Sequence, residues 1–278
     1  MPRLPELSAA RVGATFFCAF MRSLCHLAWT RVAASIVLAV LTVTLLSSCG
    51  AATRSRTTLK LKSAARPART GTRVEAAVPP GPGALVAIVM RATVLRASPG
   101  GRPVAKLTTR TEFGGPEYMW AVAHRNGWLA VISPLVGNGH TGWISQSATR
   151  LERNPWELKV SLSARQLTVL RDKKVVQRST VAIGPPESPT PVGRFAVTDR
   201  LIRTNPNGPY GCCILGLSAH SPHTIQGWGG DARIAIHSTP DTASIGEAVS
   251  HGCVRVTMAE GRWLLNHIPL ATPTIISN

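Results

Sequence analysis

The stretch IHSTPDTASIGEAVSHGCVRV, residues 236–256, decides how this chain is to be read. It opens on Ile234-Ala235-Ile236-His237-Ser238, an apolar run that predicts a strand ending in a histidine. It closes on Ser250-His251-Gly252-Cys253-Val254-Arg255, in which Cys253 precedes a second strand. A cysteine nucleophile needs a base or a depressed pKa to supply thiolate, and an imidazole within hydrogen-bond reach provides both. The separation of 16 positions from His237 to Cys253 leaves room for a loop and a turn that return the two to one sheet edge. Gly252 lets the backbone turn tightly, so the amides of Gly252 and Cys253 are candidates to face a developing oxyanion. On residue types alone, a reactive Cys–His pair and a buried structural cysteine beside a histidine stand equal.

Working outward, Leu158, Val160, Leu162, Leu167 and Val169 alternate with polar residues, and Asp172-Lys173-Lys174 separates LTVLR from VVQRSTVAI. This pattern predicts a hairpin. A further strand is expected over Arg194–Thr198, and a single helix over Met258–Asn266. The region is therefore expected to be predominantly antiparallel β. Thr190-Pro191-Val192-Gly193-Arg194-Phe195, Gly208-Pro209-Tyr210-Gly211 and Leu215-Gly216-Leu217-Ser218 punctuate it.

These motifs, with the 236–256 segment, closely resemble the active-site signature of the L,D-transpeptidase (YkuD-type) family, over Trp156 to Ser277. The resemblance implies Cys253 as nucleophile, His237 as its base and Ser238 as the group orienting the imidazole. It implies oxyanion amides at Gly252 and Cys253, and a supporting His251 that packs and hydrogen-bonds beside the nucleophile. Arg255 would brace the loop or face a substrate carboxylate, and Tyr210 would line the donor groove. The implied reaction is acyl transfer from a peptidoglycan tetrapeptide stem through a Cys thioester, forming a 3→3 cross-link in cell-wall biogenesis and maintenance of cell shape. No cofactor or metal is required, since nucleophile, base and oxyanion donors are all protein groups. Acylation by carbapenems is a further implication.

Between Leu85 and Leu151, short apolar stretches (ALVAIVM, TVLRA, YMWAVAHR, GWLAVIS, TGWIS) alternate with turn signals. Five or so strands in this length suggest a small barrel. The pieces Gly127-Trp128-Leu129-Ala130-Val131 and Gly142-Trp143-Ile144-Ser145 resemble the end of a bacterial SH3-like domain. Trp128 and Trp143 are expected in the barrel core, and His124 and His140 on its surface.

Before this domain, Val32–Leu46 is an uninterrupted apolar run flanked by Arg31 and by Ser47-Ser48-Cys49-Gly50, the layout of a signal peptide. Leu46-Ser47-Ser48-Cys49 resembles a lipobox, which implies lipidation at Cys49 and an exported, membrane-anchored lipoprotein facing the peptidoglycan. Residues 50–84 are rich in Thr, Arg, Ala, Pro and Gly and cannot build a core. Such a segment has a mean reach of roughly 30 Å.

The formal charge is +18, from 31 Lys and Arg against 13 Asp and Glu, and residues 1–75 hold 11 of the former and 2 of the latter. The basic linker is expected to meet anionic lipid or a teichoic-type envelope polymer. No zinc-finger spacing, aromatic RNA motif or Arg-rich recognition helix is present, which argues against nucleic acid. The expected organisation is thus a signal peptide with lipobox (1–49), a basic linker (50–84), an SH3-like barrel (85–152) and a catalytic domain (156–278).

Cys212-Cys213 departs from the family pattern. Neighbouring cysteines rarely pair with each other, so two half-buried thiols in the groove wall are expected, or a bridge to Cys253 acting as a redox brake. Two rivals to the transpeptidase reading remain. One is a papain-like wall endopeptidase using Cys212 or Cys213 with His251; the other is an inactive wall-binding protein. His220, His223 and His237 are weighed as a zinc site and set aside, because Ser221-Pro222 predicts a turn between the first two. His267 is expected on the surface at a helix end.

Overall fold

The computed structural model describes residues 77–222 and 232–278. The expected signal peptide, Cys49, residues 50–76 of the linker and His223 lie outside the described residues. Those that are described belong to one compact unit, Arg69–Asn278. No helix among them is long and apolar enough to cross a membrane.

Two β-sheets make up this unit. The first holds seven strands: β1 (Ala84–Val89), β2 (Thr93–Arg96), β3 (Pro103–Leu107), β4 (Tyr118–Arg125), β5 (Trp128–Ile132), β6 (Gly142–Ser145) and β7 (Thr149–Asn154). Its order is β3-β2-β6-β5-β4-β1-β7, antiparallel throughout. Leu85, Leu95, Leu107, Met119, Leu129, Val131 and Ile144 fill its core. The two strands that the apolar pattern did not reveal, β3 and β7, are the edge strands. β3 is short, opens on a proline and is mostly exposed, and the outward residues of β7 are charged and exposed, so both carry little hydrophobic signal.

Trp128 and Trp143 are not core residues, contrary to expectation. Leu129 and Ile144 occupy the inward positions at the β5–β6 pair, and the two-residue period of a strand sends both half-buried indoles to the opposite face. His124 and His140 are exposed, as expected.

The second sheet holds β8 (Trp156–Ser161), β9 (Gln166–Arg171), β10 (Lys174–Thr180), β11 (Gly193–Ile202), β12 (Cys213–His220), β13 (Arg233–Ser238), β14 (Val254–Val256) and β15 (Pro273–Ser277), in the order β10-β9-β8-β15-β11-β12-β13-β14. The β9–β10 hairpin turns through Asp172 and Lys173, both at positive φ, the geometry that matches the twist of paired strands. Most pairs are antiparallel. The exceptions are β15 with β8 and β13 with β14. The second exception matters most, because a parallel pair needs a crossover. The segment 239–253 supplies it and brings Cys253 back beside the strand that carries His237.

Helix α1 (Met258–His267) follows β14 directly. A capping box starts it: Thr257 Oγ1 accepts from the Glu260 amide at 3.3 Å and the Glu260 carboxylate accepts from the Thr257 amide at 3.0 Å. Leu264 and Leu265 are buried in the core of the second sheet, with Phe195, Leu217, Ile234, Ile236 and Val254. Gly261 allows the helix to close on β12 and β13, since a Cβ there would stand 2.7 Å from Ser238 Cβ. His267 is exposed and stacks on Trp263, ring centroids 4.3 Å apart.

Candidate active site

Strand β13 has a polar group at each end and apolar residues between. Near its end, His237 lies opposite Arg255 of β14, and Ile236 lies opposite Val254. Extending this parallel register by one residue sets Cys253 beside Ala235. Side chains alternate between faces, so His237 and Cys253 project from the same face on adjacent strands, and Arg255 joins them.

Cys253 is 6% exposed and His237 is 3% exposed. The Sγ of Cys253 accepts a hydrogen bond from the Ala235 amide at 3.4 Å. Nδ1 of His237 lies 2.8 Å from the Ser238 carbonyl oxygen. A carbonyl only accepts, so Nδ1 carries the proton and Nε2 is left as the basic nitrogen. The Ser238 backbone, and not its hydroxyl, is thus what orients the imidazole. The hydroxyl faces the other way, accepting from the Cys213 amide at 3.1 Å and lying 3.5 Å from the Cys212 sulfur.

Burial sets the resting protonation state. It pushes the His237 imidazole down to about 4, with the positive charge of Arg255 adding to the effect and the bond to Ser238 opposing it. It also pushes the Cys253 thiol up to about 11, against the Ala235 amide and Arg255. The free protein therefore holds a neutral thiol and a neutral imidazole at pH 7. Among the described hydrogen bonds, the thiol takes that of the Ala235 amide and makes none with His237.

Gly252 has φ +99°, and a Cβ there would meet Ile234 Cδ1 at 3.0 Å and the Pro189 carbonyl oxygen at 3.3 Å. Only glycine fits this turn. Its amide donates to Ser250 Oγ at 3.2 Å, and Ser250 in turn donates to the Cys253 carbonyl at 2.6 Å. Of the two expected oxyanion amides, that of Gly252 is thus engaged by Ser250 in the free protein. His251 departs from expectation: it is exposed and makes no hydrogen bond among those described, because the Ser250 hydroxyl supplies the bracing expected of it.

Tyr210 stands edge-on to His237, ring centroids 5.0 Å apart. It reaches this position because Gly211 has φ +57° and lets the chain pass Ser238; a Cβ at 211 would lie 2.4 Å from Ser238 Oγ. The expectation for Cys212 and Cys213 is overturned, since the two are joined to each other in a vicinal disulfide and Cys253 is free. The papain-like arrangement is not assembled, its candidate nucleophiles being bonded together and its histidine exposed. His237 is bonded to Ser238 through Nδ1, and no group of three or more His, Cys, Asp or Glu suited to a metal occurs among the described residues.

At the start of β13 lies a residue to which sequence reading gave no role. Arg233 is 1% exposed. It donates to the Leu217 carbonyl through Nε at 2.8 Å and to Thr198 Oγ1 at 2.5 Å, pairs with the Glu112 carboxylate, and lies 3.8 Å from Asp199 Oδ2. Glu117, buried beside them, has its carboxyl pushed up to about 7 by burial and by the charge of Asp199, with Arg233 opposing. An arginine opening an otherwise apolar strand was the available signal.

A profile of the L,D-transpeptidase catalytic domain matches residues 155–276. The Bacillus subtilis (strain 168) candidate L,D-transpeptidase YkuD is 33% identical over 123 residues, which cover 44% of this chain and 66% of that protein. A second candidate from the same organism, YqjB, is 31% identical over 130 residues, covering 43% of this chain and 69% of that protein. The solved L,D-transpeptidase from Mycobacterium smegmatis is similar at 19% identity and a TM-score of 0.35, over 50% of this chain and 74% of that one. On the strength of its sequence relatives, the chain belongs to the L,D-transpeptidase (YkuD-type) family.

Proposed function

We propose that this chain is a peptidoglycan L,D-transpeptidase of the exported cell envelope, working through a thioester on Cys253. The observation that carries the reading is the hydrogen bond from His237 Nδ1 to the Ser238 carbonyl. It fixes one tautomer and one ring orientation, leaving Nε2 as acceptor on the face that bears the thiol.

The chemistry starts from a neutral pair. When the acyl donor covers the site, His237 Nε2 takes the Cys253 proton as the sulfur attacks the carbonyl of the third, L-configured residue of the stem. Negative charge gathers on the carbonyl oxygen, for which the Cys253 amide is a candidate donor. Collapse of the tetrahedral intermediate breaks the peptide bond, and the imidazolium returns its proton to the departing D-Ala amine. The amine of a second stem then attacks the thioester, loses a proton through His237 and releases the thiol, leaving a 3→3 cross-link. The Ala235 amide and Arg255 favour the thiolate as it forms. Tyr210 borders the donor groove, and Arg255 supplies positive charge for a substrate carboxylate.

The amino-terminal sheet is assigned an SH3-like role in this reading. The signal peptide, Cys49 lipidation and the basic linker would hold the enzyme at the membrane, near anionic lipid or polymer. Incubation with a disaccharide tetrapeptide is expected to release D-Ala and yield a 3→3 dimer, detectable by mass spectrometry. D-Ala release without dimer would redefine the activity as hydrolysis, and neither product would refute the proposal.

A further inference from the structure

The loop between β3 and β4 reaches from the first sheet to the candidate active site. It closes as a tight turn, with Gly114 donating to the Thr111 carbonyl at 3.0 Å and Thr111 donating to the Gly115 carbonyl at 2.8 Å. Phe113 lies within this turn, half-buried, and packs on the cluster formed by Cys253, Ala235 and Ile214, together with Leu201 and Tyr210. An aromatic residue of the β3–β4 loop therefore packs on the apolar cluster that contains the nucleophile.

Polar contacts pin this loop to the second sheet. Thr111 Oγ1 donates to Asp199 Oδ1 at 2.5 Å, and Glu112 pairs with the buried Arg233. A third point lies further along: the Asn138 side chain donates to the His220 carbonyl at 2.8 Å and accepts from the His220 amide at 2.9 Å. Paired side-chain and main-chain bonds of this kind fix register as well as proximity. The two residues that precede Phe113 are both anchored to the sheet that carries the nucleophile.

We infer that Phe113 is a specificity-determining wall of the acyl-donor groove, held in place by the Thr111–Asp199 and Glu112–Arg233 contacts, so that the amino-terminal sheet completes the catalytic site. The inference rests on the transpeptidase reading for the identity of the donor, a peptide with a D-alanyl end. An apolar ring beside Tyr210 suits the methyl groups and methylenes of such a stem and excludes water from the thioester.

The test uses the full chain and compares Phe113→Ala, Phe113→Leu and Glu112→Gln with the wild type, melting temperature being followed to confirm folding. For acylation by a disaccharide tetrapeptide, Phe113→Ala is expected to raise KM about 5–20-fold while kcat stays within about 3-fold. Phe113→Leu should recover most of the loss. Glu112→Gln should move KM in the same direction, by about 2–5-fold. An unchanged KM in a folded Phe113→Ala variant overturns the inference.

A second arm needs no substrate. Alkylation of Cys253 by a bulky maleimide should speed up about 5-fold in Phe113→Ala while iodoacetamide, a small reagent, changes less than about 2-fold. Equal changes for both reagents overturn the wall. If the wild type is not acylated at all, the transpeptidase reading fails, and the reagent ratio still decides whether Phe113 lines the nucleophile.

Discussion

The two ends of β13 make opposite use of burial. Around His237, buried groups are kept neutral, and each has a partner within residues 235–253: His237 with the next residue, Cys253 with Ala235, and Ser250 with Cys253. Around Arg233, burial holds a charge, and beyond the Leu217 carbonyl of the neighbouring strand its partners come from farther along the chain, Thr198 being 35 and Glu112 121 residues away. The chemical end is written in one contiguous segment, whereas the anchoring end gathers residues of β11, β12 and β13 and is completed by Glu112 from the β3–β4 loop. A neutral pair is ready to exchange a proton with little reorganisation, and a buried charge penalises any arrangement that leaves it unpaired.

This contrast orders the expected effects. Arg233→Ala strips Asp199 and Glu117 of their buried counter-charge and should lower stability by about 3–5 kcal/mol, measured by denaturant unfolding near pH 7. A loss under about 1 kcal/mol would mean that the cluster is solvated in solution and that the two sheets are held together by other contacts.

Glu117→Gln should act in the other direction, and only above a certain pH. The Glu117 carboxyl is raised from 4.5 to about 7 in the folded protein. The native state therefore binds more protons than the unfolded state between those values, and the stability this contributes is lost as pH rises through the window. The glutamine variant escapes that loss and should exceed the wild type by roughly 1–3 kcal/mol at pH 8. His237 works oppositely: its native value is lowered from 6.5 to about 4, so the unfolded state binds the extra proton and stability falls on acidification through that range. The two trends offset each other in the wild type. Glu117→Gln should expose the His237 trend as a clear rise in stability from pH 4 to 6.5, and a flat profile would contradict the assignment.

The smallest effect concerns rate near neutrality. A base with pKa about 4 and a thiol near 11 predict that acylation changes little between pH 6 and 9. It should fall only on approaching 4, where the imidazole protonates. An acid limb centred near 6.5 would indicate an imidazole that solvent reaches.

Much of this was legible in the sequence, and the difference between the ends of β13 accounts for what was not. The nearness of His237 and Cys253 was expected from their spacing and the turn at Gly252, whereas their pairing as base and nucleophile was read from the family resemblance, residue types alone leaving a structural cysteine equally open. The mainly β composition, the β9–β10 hairpin and the helix from Met258 followed from periodicity. The edge strands were hidden by the shortness and leading proline of β3 and by the exposed charged residues of β7. Trp128 and Trp143 misled because an aromatic signals a strand without saying which face it takes, which depends on register. Arg233 signalled only as a charge opening an apolar strand, and Phe113 gave no readable pattern, since its partners are set by how one sheet docks on another. Cys212 and Cys213 were read through the general reluctance of neighbours to pair, and the loop after Tyr210 and Gly211 holds them together instead.

The most direct test of the central claim is intact-protein mass spectrometry after incubation with a disaccharide tetrapeptide or a carbapenem, with Cys253→Ala in parallel. The neutral-pair account predicts a single covalent adduct on the wild type, mapping to Cys253, and none on the variant. An adduct that persists in Cys253→Ala, or its absence from folded wild-type protein with both compounds, would contradict it.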